Sequence, residues 1–191
     1  MEFILASTNL NKVQELNRLL NGSTLNIISP KEKMEVIEDG DSFRANALLK
    51  AEAYYNKYGR STVSDDSGLV VNALPNMLGV HSARFAPECA DYEQKCKKLI
   101  SLLDEKEDRS AYFVCYLCFY KSPSEIYFFE GRVHGEIGET LKGDGGFGYD
   151  PVFLPEGRSG KSLSEESEWK MTHSHRAKAC AQAVNFFNGS K

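Results

Sequence analysis

The stretch Phe3-Ile4-Leu5-Ala6-Ser7-Thr8-Asn9-Leu10-Asn11-Lys12 decides the fold class, because an apolar run passes directly into a polar segment and then into a helical pattern. The run from Phe3 to Ala6 is typical of a buried strand. Apolar residues then recur at helical spacing until Asn21-Gly22 ends the pattern, at Leu10, Val13, Leu16 and Leu20. A strand, a polar turn and a helix in this order open an α/β unit.

The rest of the chain continues this pattern and adds a hairpin. A second helix is predicted after Asp41-Ser42 and ends at Gly59, and a third contains the apolar positions of 92–103. Two long strands, 111–120 and 126–137, are linked by only a few polar residues, which makes the sheet mixed rather than purely parallel. Residues 157–168 are polar and predicted to be mobile, and the last helix is expected to begin near Ser174.

Length and composition limit the classes of function. The 191 residues fit a single domain, 1–191, which can have two lobes, and the net charge of -4 argues against binding a nucleic-acid polymer. The sequence contains no membrane-spanning run and no signal peptide, which predicts a cytoplasmic protein. The five cysteines lack a paired framework, and Cys115 and Cys118 lie in a strand-like run, so we predict buried free thiols there.

The stretch Ser64-Asp65-Asp66-Ser67-Gly68-Leu69 places two adjacent carboxylates between two strand-like runs. We predict two short strands joined here by a tight turn or bulge. Successive residues of a strand point to opposite faces, so Asp65 and Asp66 are expected to have different roles. A polar turn and a metal or catalytic site both fit this stretch.

Three further segments carry candidate ligand-binding groups. Ser7 to Lys12 can be an anion site at a helix start or an ordinary helix cap. Glu38 precedes the helix that carries Asn46 and Lys50, and Glu38 with Asp65 or Asp66 would supply the carboxylates that Mg²⁺ takes beside substrate phosphates.

The segment GGFGYDP (145–151) combines glycines with flat aromatic rings that can stack on a base. Because a cation opposes the helix dipole at a helix start, His175 and Arg176 predict an anionic ligand there. Together the four segments describe a cleft that binds a nucleoside polyphosphate.

An ordered set of motifs resembles the inosine triphosphate pyrophosphatase family over nearly the whole chain. The motifs are LASTNLNK (5–12), EDGDSFRANALLKA (38–51), DDSGL (65–69), SARF (82–85), GGFGYDPVF (145–153) and SHR (174–176). The resemblance implies hydrolysis of ITP, dITP or XTP to the monophosphate and pyrophosphate, with Mg²⁺, by a homodimer. It also implies an elongated two-lobed α/β fold with a central nucleotide-binding cleft.

The resemblance also implies roles for individual residues. Glu38 and Asp66 would hold the metal, and Asp66 would be the catalytic base. The phosphates would be held by Ser7, Thr8, Asn9, Leu10, Asn11, Lys12 and Lys50. The rest of the substrate site would consist of Ser67, Phe147, Gly148, Tyr149, Asp150, Lys170, His175 and Arg176. Within that set, Phe147 would stack on the base, and His175 and Arg176 would read its 6-keto edge.

Two positions depart from the family pattern. Ser64 stands where an alanine is usual, and His173 stands where an aliphatic residue is usual, near the loop that is expected to present Lys170. Two other functions fit part of the sequence: a Maf-type pyrophosphatase acting on dTTP or UTP, and a nucleotide-binding regulatory protein without turnover. The combination of GGFGYDP with SHR speaks against the Maf type.

Overall fold

The computed structural model describes residues 1–7, 9–32 and 34–189. The strands are β1 (Glu2–Ala6), β2 (Asn26–Ile28), β3 (Thr62–Val71), β4 (Ser110–Ser122), β5 (Glu125–Ile137) and β6 (Phe153–Pro155). The helices are α1 (Leu10–Leu19), α2 (Phe43–Tyr58), α3 (Tyr92–Ser101), α4 (Ser167–His173) and α5 (His175–Gly189), with two short 3₁₀ helices at Gly79–His81 and Asp150–Val152.

The strands form a six-stranded mixed sheet in the order β2-β1-β3-β4-β5-β6. β1 pairs in parallel with both β2 and β3, whereas β5 and β6 are antiparallel. β4 and β5 are neighbours joined by two residues, which only an antiparallel hairpin allows. The predicted α/β class with a mixed sheet flanked by helices is therefore confirmed.

The chain divides into two compact units, which are described separately. The first contains Met1–Ser67, Cys115–Gly131 and the residues from His175 onward, and the second contains Gly68–Val114 and Arg132–Ser174.

The core of the first unit follows the alternation of β1. Phe3 and Leu5 pack in one cluster with Leu16 of α1 and with Ala183 of α5, whereas Ile4 packs in another with α2 residue Tyr54. Side chains of a strand alternate between faces, so one apolar run supports helices on both sides of the sheet. The core of the second unit consists of apolar residues from α3, from the ends of β3 to β5 that lie in this unit, and from β6.

The predicted break at the two aspartates is wrong, since β3 runs without interruption from Thr62 to Val71. The polar side chains are accommodated by flanking helices. Thr62 and Ser64 donate to carbonyls of α2, at Ala51 and Ala47, with Oγ1–O and Oγ–O distances of 2.7 and 2.5 Å. Because both hydroxyl groups find acceptors in α2, the backbone keeps its strand pairing and needs no turn.

The sequence analysis did not predict the short elements β2, β6 and α4, nor the two 3₁₀ helices. Segment 157–168, which looks like a polar connection, contains the buried residues Ser162, Leu163 and Glu166, and Leu163 belongs to the core of the second unit. The last helix begins at His175, next to the predicted start.

Candidate active site

The loop between β1 and α1 is an Asx-capped helix start. Asn9 Oδ1 accepts from the backbone N–H groups of Asn11 and Lys12, at 3.0 and 3.2 Å, and the N–H of Asn9 donates to Ser7 Oγ at 3.2 Å. Leu10 is 64% exposed. Thr8, which the sequence analysis also assigned to this site, lies outside the described residues. The ordinary cap that the sequence allowed is present, and it fixes the backbone from which the Lys12 side chain extends.

Asp65 lies at the centre of a buried charge network in the first unit. Its carboxylate is 2.7 Å from Lys12 Nζ and 2.7 Å from Arg176 Nε. Arg176, only 1% exposed, also donates through Nη1 to Glu15 Oε2 at 2.6 Å. Two cations therefore face two carboxylates, and the four charges join α1, β3 and α5.

Neutral groups complete the coordination of Asp65. The Ser67 hydroxyl donates to Oδ1 at 3.0 Å and accepts from Arg176 Nη2 at 2.8 Å, and the Cys115 thiol donates to Oδ2 at 3.1 Å. Burial raises the pKa of Asp65, but the charges of Arg176 and Lys12 lower it by more, so that its pKa lies well below the usual range. Its neighbours therefore favour the charged form of Asp65, and the lone pairs of the carboxylate are already in use.

Asp66 faces the other side of the sheet and has a different environment. Its Oδ1 accepts from Lys50 Nζ at 2.9 Å, and the same ammonium lies 3.2 Å from Glu38 Oε1. Asp66 Oδ2 is buried and has no hydrogen-bond partner among the described residues. A buried carboxylate oxygen without a donor is a costly group, and such groups in native proteins commonly mark a function or a bound ion.

The electrostatics of this second cluster differ accordingly. Burial raises the pKa of Asp66, and the charges of Lys50 and Lys12 offset this only in part. Burial lowers the pKa of Lys50, but Asp66 and Glu38 reverse that effect and leave it raised. Lys50 is thus held as a cation between two carboxylates, and one of those carboxylates keeps an unpaired oxygen.

Glu38 and Asp66 fit a hard divalent cation. Both supply oxygen, both lie against the same ammonium, and the unpaired Asp66 Oδ2 has the lone pairs that a cation would take. Among residues 1–7, 9–32 and 34–189, no group of three or more His, Cys, Asp or Glu side chains is arranged to hold a metal. Two carboxylates with water and substrate phosphates are a usual set of ligands for Mg²⁺.

In the second unit, Phe147, Asp150 and Lys170 lie together. Asp150 Oδ2 accepts from Lys170 Nζ and from the backbone N–H of Phe147, each at 2.8 Å. The Lys170 ammonium also lies 4.6 Å from the centre of the Phe147 ring. The departure at His173 therefore leaves Lys170 in contact with two of the residues with which it was expected to act.

The glycines of this segment are needed for its turn. Gly146 and Gly148 have positive φ angles of 75° and 67°, and a Cβ on Gly146 would lie 2.3 Å from Asp150 Oδ2. Tyr149 is buried, stacks edge-on against Tyr92 and donates through its hydroxyl to the Ser82 carbonyl at 2.8 Å. Tyr149 thus anchors the turn, and Phe147 is the half-buried ring.

His175 and Arg176 open α5, as predicted, but the contacts of Arg176 differ from those expected. The guanidinium donates to Asp65, Glu15 and Ser67, and its side chain is buried. Sequence reasoning missed Glu15 and Cys115 in this network. The only signal for Glu15 was a carboxylate three residues after Lys12, beside the apolar stripe of α1, and Cys115 gave none.

The chain belongs to the Ham1 family, whose sequence profile matches residues 3–186. Among curated relatives, the dITP/XTP pyrophosphatase of Aquifex aeolicus is 40% identical, covering 97% of this chain and 96% of its own. The dITP/XTP pyrophosphatase of Porphyromonas gingivalis is 37% identical with the same coverage. The recognition made from the sequence motifs is confirmed.

Solved structures give the same result for the fold. The Ham1 protein of Staphylococcus aureus superposes with a TM-score of 0.88 at 34% identity, covering 100% of both chains. The dITP/XTP pyrophosphatase of Mycobacterium abscessus gives a TM-score of 0.76 at 36% identity, covering 96% of this chain and 99% of the other. None of the helices in the described part of the chain is long and apolar enough to cross a membrane.

Proposed function

We propose that this chain hydrolyses the non-standard purine nucleoside triphosphates ITP, dITP and XTP to the nucleoside monophosphate and pyrophosphate. The observation that carries the proposal is the cluster of Glu38, Lys50 and Asp66, in which one buried carboxylate oxygen has no donor. Full-length relatives named dITP/XTP pyrophosphatases support the choice of substrate.

Lys12 and Lys50 act on the triphosphate. Both ammonium groups lie on the first unit next to the aspartates of β3. Their charges would neutralise the negative charge that develops as the α–β phosphoanhydride breaks. The cap at Asn9, with Ser7 and the N-terminal turn of α1, would orient the phosphates.

Asp66 is the general base of this proposal. Its Oδ2 has lone pairs free of protein donors, so it can accept the proton of an attacking water, while Oδ1 stays bonded to Lys50. Glu38 and Asp66 would hold Mg²⁺, which when bound supplies charge neutralisation and polarisation of the phosphoryl oxygens. Asp65 has no such freedom, and we assign it to holding Lys12 and Arg176.

Recognition of the base is assigned to the remaining residues. Phe147 would stack on the purine, with Gly148 and Tyr149 shaping the turn and Asp150 and Lys170 holding the ring in place. His175 would donate to the 6-keto edge. A donor aimed at a keto oxygen discriminates against adenine, whose amine would leave that donor unpaired. Arg176 and Ser67 are engaged with Asp65, and we assign to both a supporting role rather than direct base contact.

One assay decides between this function and its alternatives. The protein is incubated with Mg²⁺ and, separately, with ITP, XTP, dTTP, UTP, GTP or ATP, and released pyrophosphate is measured. We expect release from ITP and XTP that stops when EDTA removes the metal. Release from dTTP or UTP without ITP would favour the Maf type, and no release from any nucleotide would favour a regulatory binder.

The homodimer is a separate prediction that follows from the family resemblance. The chain has a mass of 21.4 kDa, so light scattering after gel filtration should give twice that value. A mass equal to one chain at all concentrations would contradict it.

A further inference from the structure

The loop that carries Glu38 is attached to α2 by one buried side chain. Asn46 is 0% exposed, and its Oδ1 accepts from the backbone N–H of Gly40 at 2.9 Å. Gly40 lies two residues after Glu38, and Asn46 lies in the first turns of α2. The bond therefore closes the end of the Glu38 loop onto the helix.

The contact with Asn46 requires a glycine at position 40, because there is no room for a side chain there. A Cβ at position 40 would lie 2.7 Å from Asn46 Oδ1 and 2.9 Å from the Cβ of Ala45. Both distances are shorter than side-chain atoms tolerate, so a larger residue would push the loop away from the helix. The absence of a side chain at position 40 is what allows the loop to reach Asn46.

The same helix also holds the carboxylate of Glu38. Lys50 follows Asn46 by four residues, so the two side chains lie on one face of α2. Lys50 Nζ contacts Glu38 Oε1 at 3.2 Å and Asp66 Oδ1 at 2.9 Å. One helical face thus fixes the backbone of the loop through Asn46 and its carboxylate through Lys50.

The amide at position 46 is only half satisfied. Its Oδ1 accepts from the Gly40 N–H, whereas its Nδ2 is buried with no hydrogen-bond partner among the described residues, so the residue bears a cost beside the bond to Gly40. Groups that break local rules in this way are expected at functional positions.

We propose that Asn46 is a positioning residue that sets Glu38 for metal binding by holding Gly40 against α2. The inference rests on the proposed function insofar as Glu38 is taken as a metal ligand. Outer-shell partners that orient a ligating carboxylate typically affect metal affinity by about 10–100-fold. Asn46 would orient Glu38 in the same way, but it does so by holding the backbone at Gly40 and not by contacting the Glu38 carboxylate.

The test compares Asn46→Leu with the wild type in two measurements. Hydrogen exchange should show faster exchange of the Gly40 amide in the variant, because its acceptor is gone. Binding of Mn²⁺ alone, followed by electron paramagnetic resonance, should weaken by about tenfold or more. Unchanged exchange at Gly40 or unchanged Mn²⁺ affinity would overturn the inference.

Ser42→Ala is the matched control. The Ser42 hydroxyl caps α2 by accepting from the N–H of Ala45 at 3.2 Å. The contact of Ser42 with Asn46 is a backbone hydrogen bond, from the Asn46 N–H to the Ser42 carbonyl at 3.0 Å, which an alanine keeps. This variant should lower Tm without changing Mn²⁺ affinity. If it weakens Mn²⁺ binding as much as Asn46→Leu does, the effect is general loosening of α2 and the positioning role is wrong.

Gly40→Ala should disrupt the same contact, because the added Cβ would clash with Asn46 Oδ1. It provides a second variant in case Asn46→Leu does not fold. It should weaken Mn²⁺ binding, and the double variant should be no weaker than the worse single one, because both changes break one contact. Additive losses would contradict the inference. If the wild type does not bind Mn²⁺, the inference fails at Glu38, whereas ITP hydrolysis by the wild type separately decides the proposed function.

Discussion

Arg176 and Asp65 form a buried ion pair in which the arginine Nε lies 2.7 Å from the aspartate Oδ2, although the two residues are 111 positions apart in the chain. The next residue, Asp66, contacts Lys50 on the opposite face of β3. Two identical side chains in sequence therefore have separate partners, and their substitutions should have separate effects.

Asp65→Asn should destabilise the protein strongly. The amide cannot neutralise Arg176 and Lys12, which would leave buried cations with Glu15 as the remaining carboxylate. Removing one partner of a buried ion pair typically costs about 3–5 kcal/mol. Urea unfolding followed by circular dichroism measures this change. A variant as stable as the wild type would show that the network contributes little to folding.

Asp66→Asn should preserve the fold and abolish turnover. Lys50 keeps its contact with Glu38, so we expect the free energy of unfolding to change by about 1 kcal/mol. Loss of the general base should lower kcat for ITP by about 10²–10⁴-fold. Pyrophosphate release gives the rate, and Asp65→Asn provides the comparison for stability. Activity close to that of the wild type would remove Asp66 from the proposed role.

Gly131→Ala should be poorly tolerated because α5 crosses β5 at that glycine. An added Cβ would lie 2.0 Å from the carbonyl oxygen of His175 and 2.8 Å from the N of Ala179, both of which are backbone atoms. We expect a loss of about 3 kcal/mol or more, measured as a fall in Tm. Gly189→Ala, where a Cβ meets nothing within 4 Å, is the control and should leave Tm unchanged or slightly higher.

The thiols should react in two classes. Cys89 is half-buried, while Cys96, Cys115, Cys118 and Cys180 are free and buried. Burial raises the pKa of Cys96, Cys118 and Cys180 to about 12, and that of Cys115 well above its usual value. DTNB at pH 8 should therefore modify one thiol per chain in the native protein and all five in guanidinium. Fast reaction of several thiols in the native state would contradict the burial described here.

The sequence predicted much of the local structure because that structure is encoded locally. Ser42 and Gly59 bound α2 as a side-chain cap and a left-handed glycine, as their positions in the sequence indicated. The opposite orientation of Asp65 and Asp66 followed from strand geometry alone. The motifs of the family placed Lys50, Asp66, Lys170 and Asp150 in the candidate site. The contacts of Lys50 with Asp66 and of Lys170 with Asp150 are observations that the motifs did not specify.

The misses concern partners that are distant in the chain. In the sequence, the polar residues of β3 are typical of a turn. In the folded protein they form a strand, because the carbonyls of α2 and the guanidinium of Arg176 supply their hydrogen-bond partners. Likewise, a histidine and an arginine at a helix start indicate an anion, but the pattern does not say that the anion for Arg176 is Asp65 of the same protein. Pairing across 111 residues is a property of the tertiary fold, which local patterns do not specify.

Because β3 is uninterrupted at Asp65 and Asp66, the two side chains face opposite sides of the sheet, and variants at the two positions should fail in different ways. A screen that scores only survival would find both aspartates intolerant and would treat them as one motif. A screen that records protein abundance and catalytic output in parallel should separate them. Substitutions of Asp65 should reduce the amount of folded protein. Substitutions of Asp66 should leave abundant protein that is catalytically inactive. Two neighbouring codons would therefore be under two different kinds of selection, one for stability and one for catalysis.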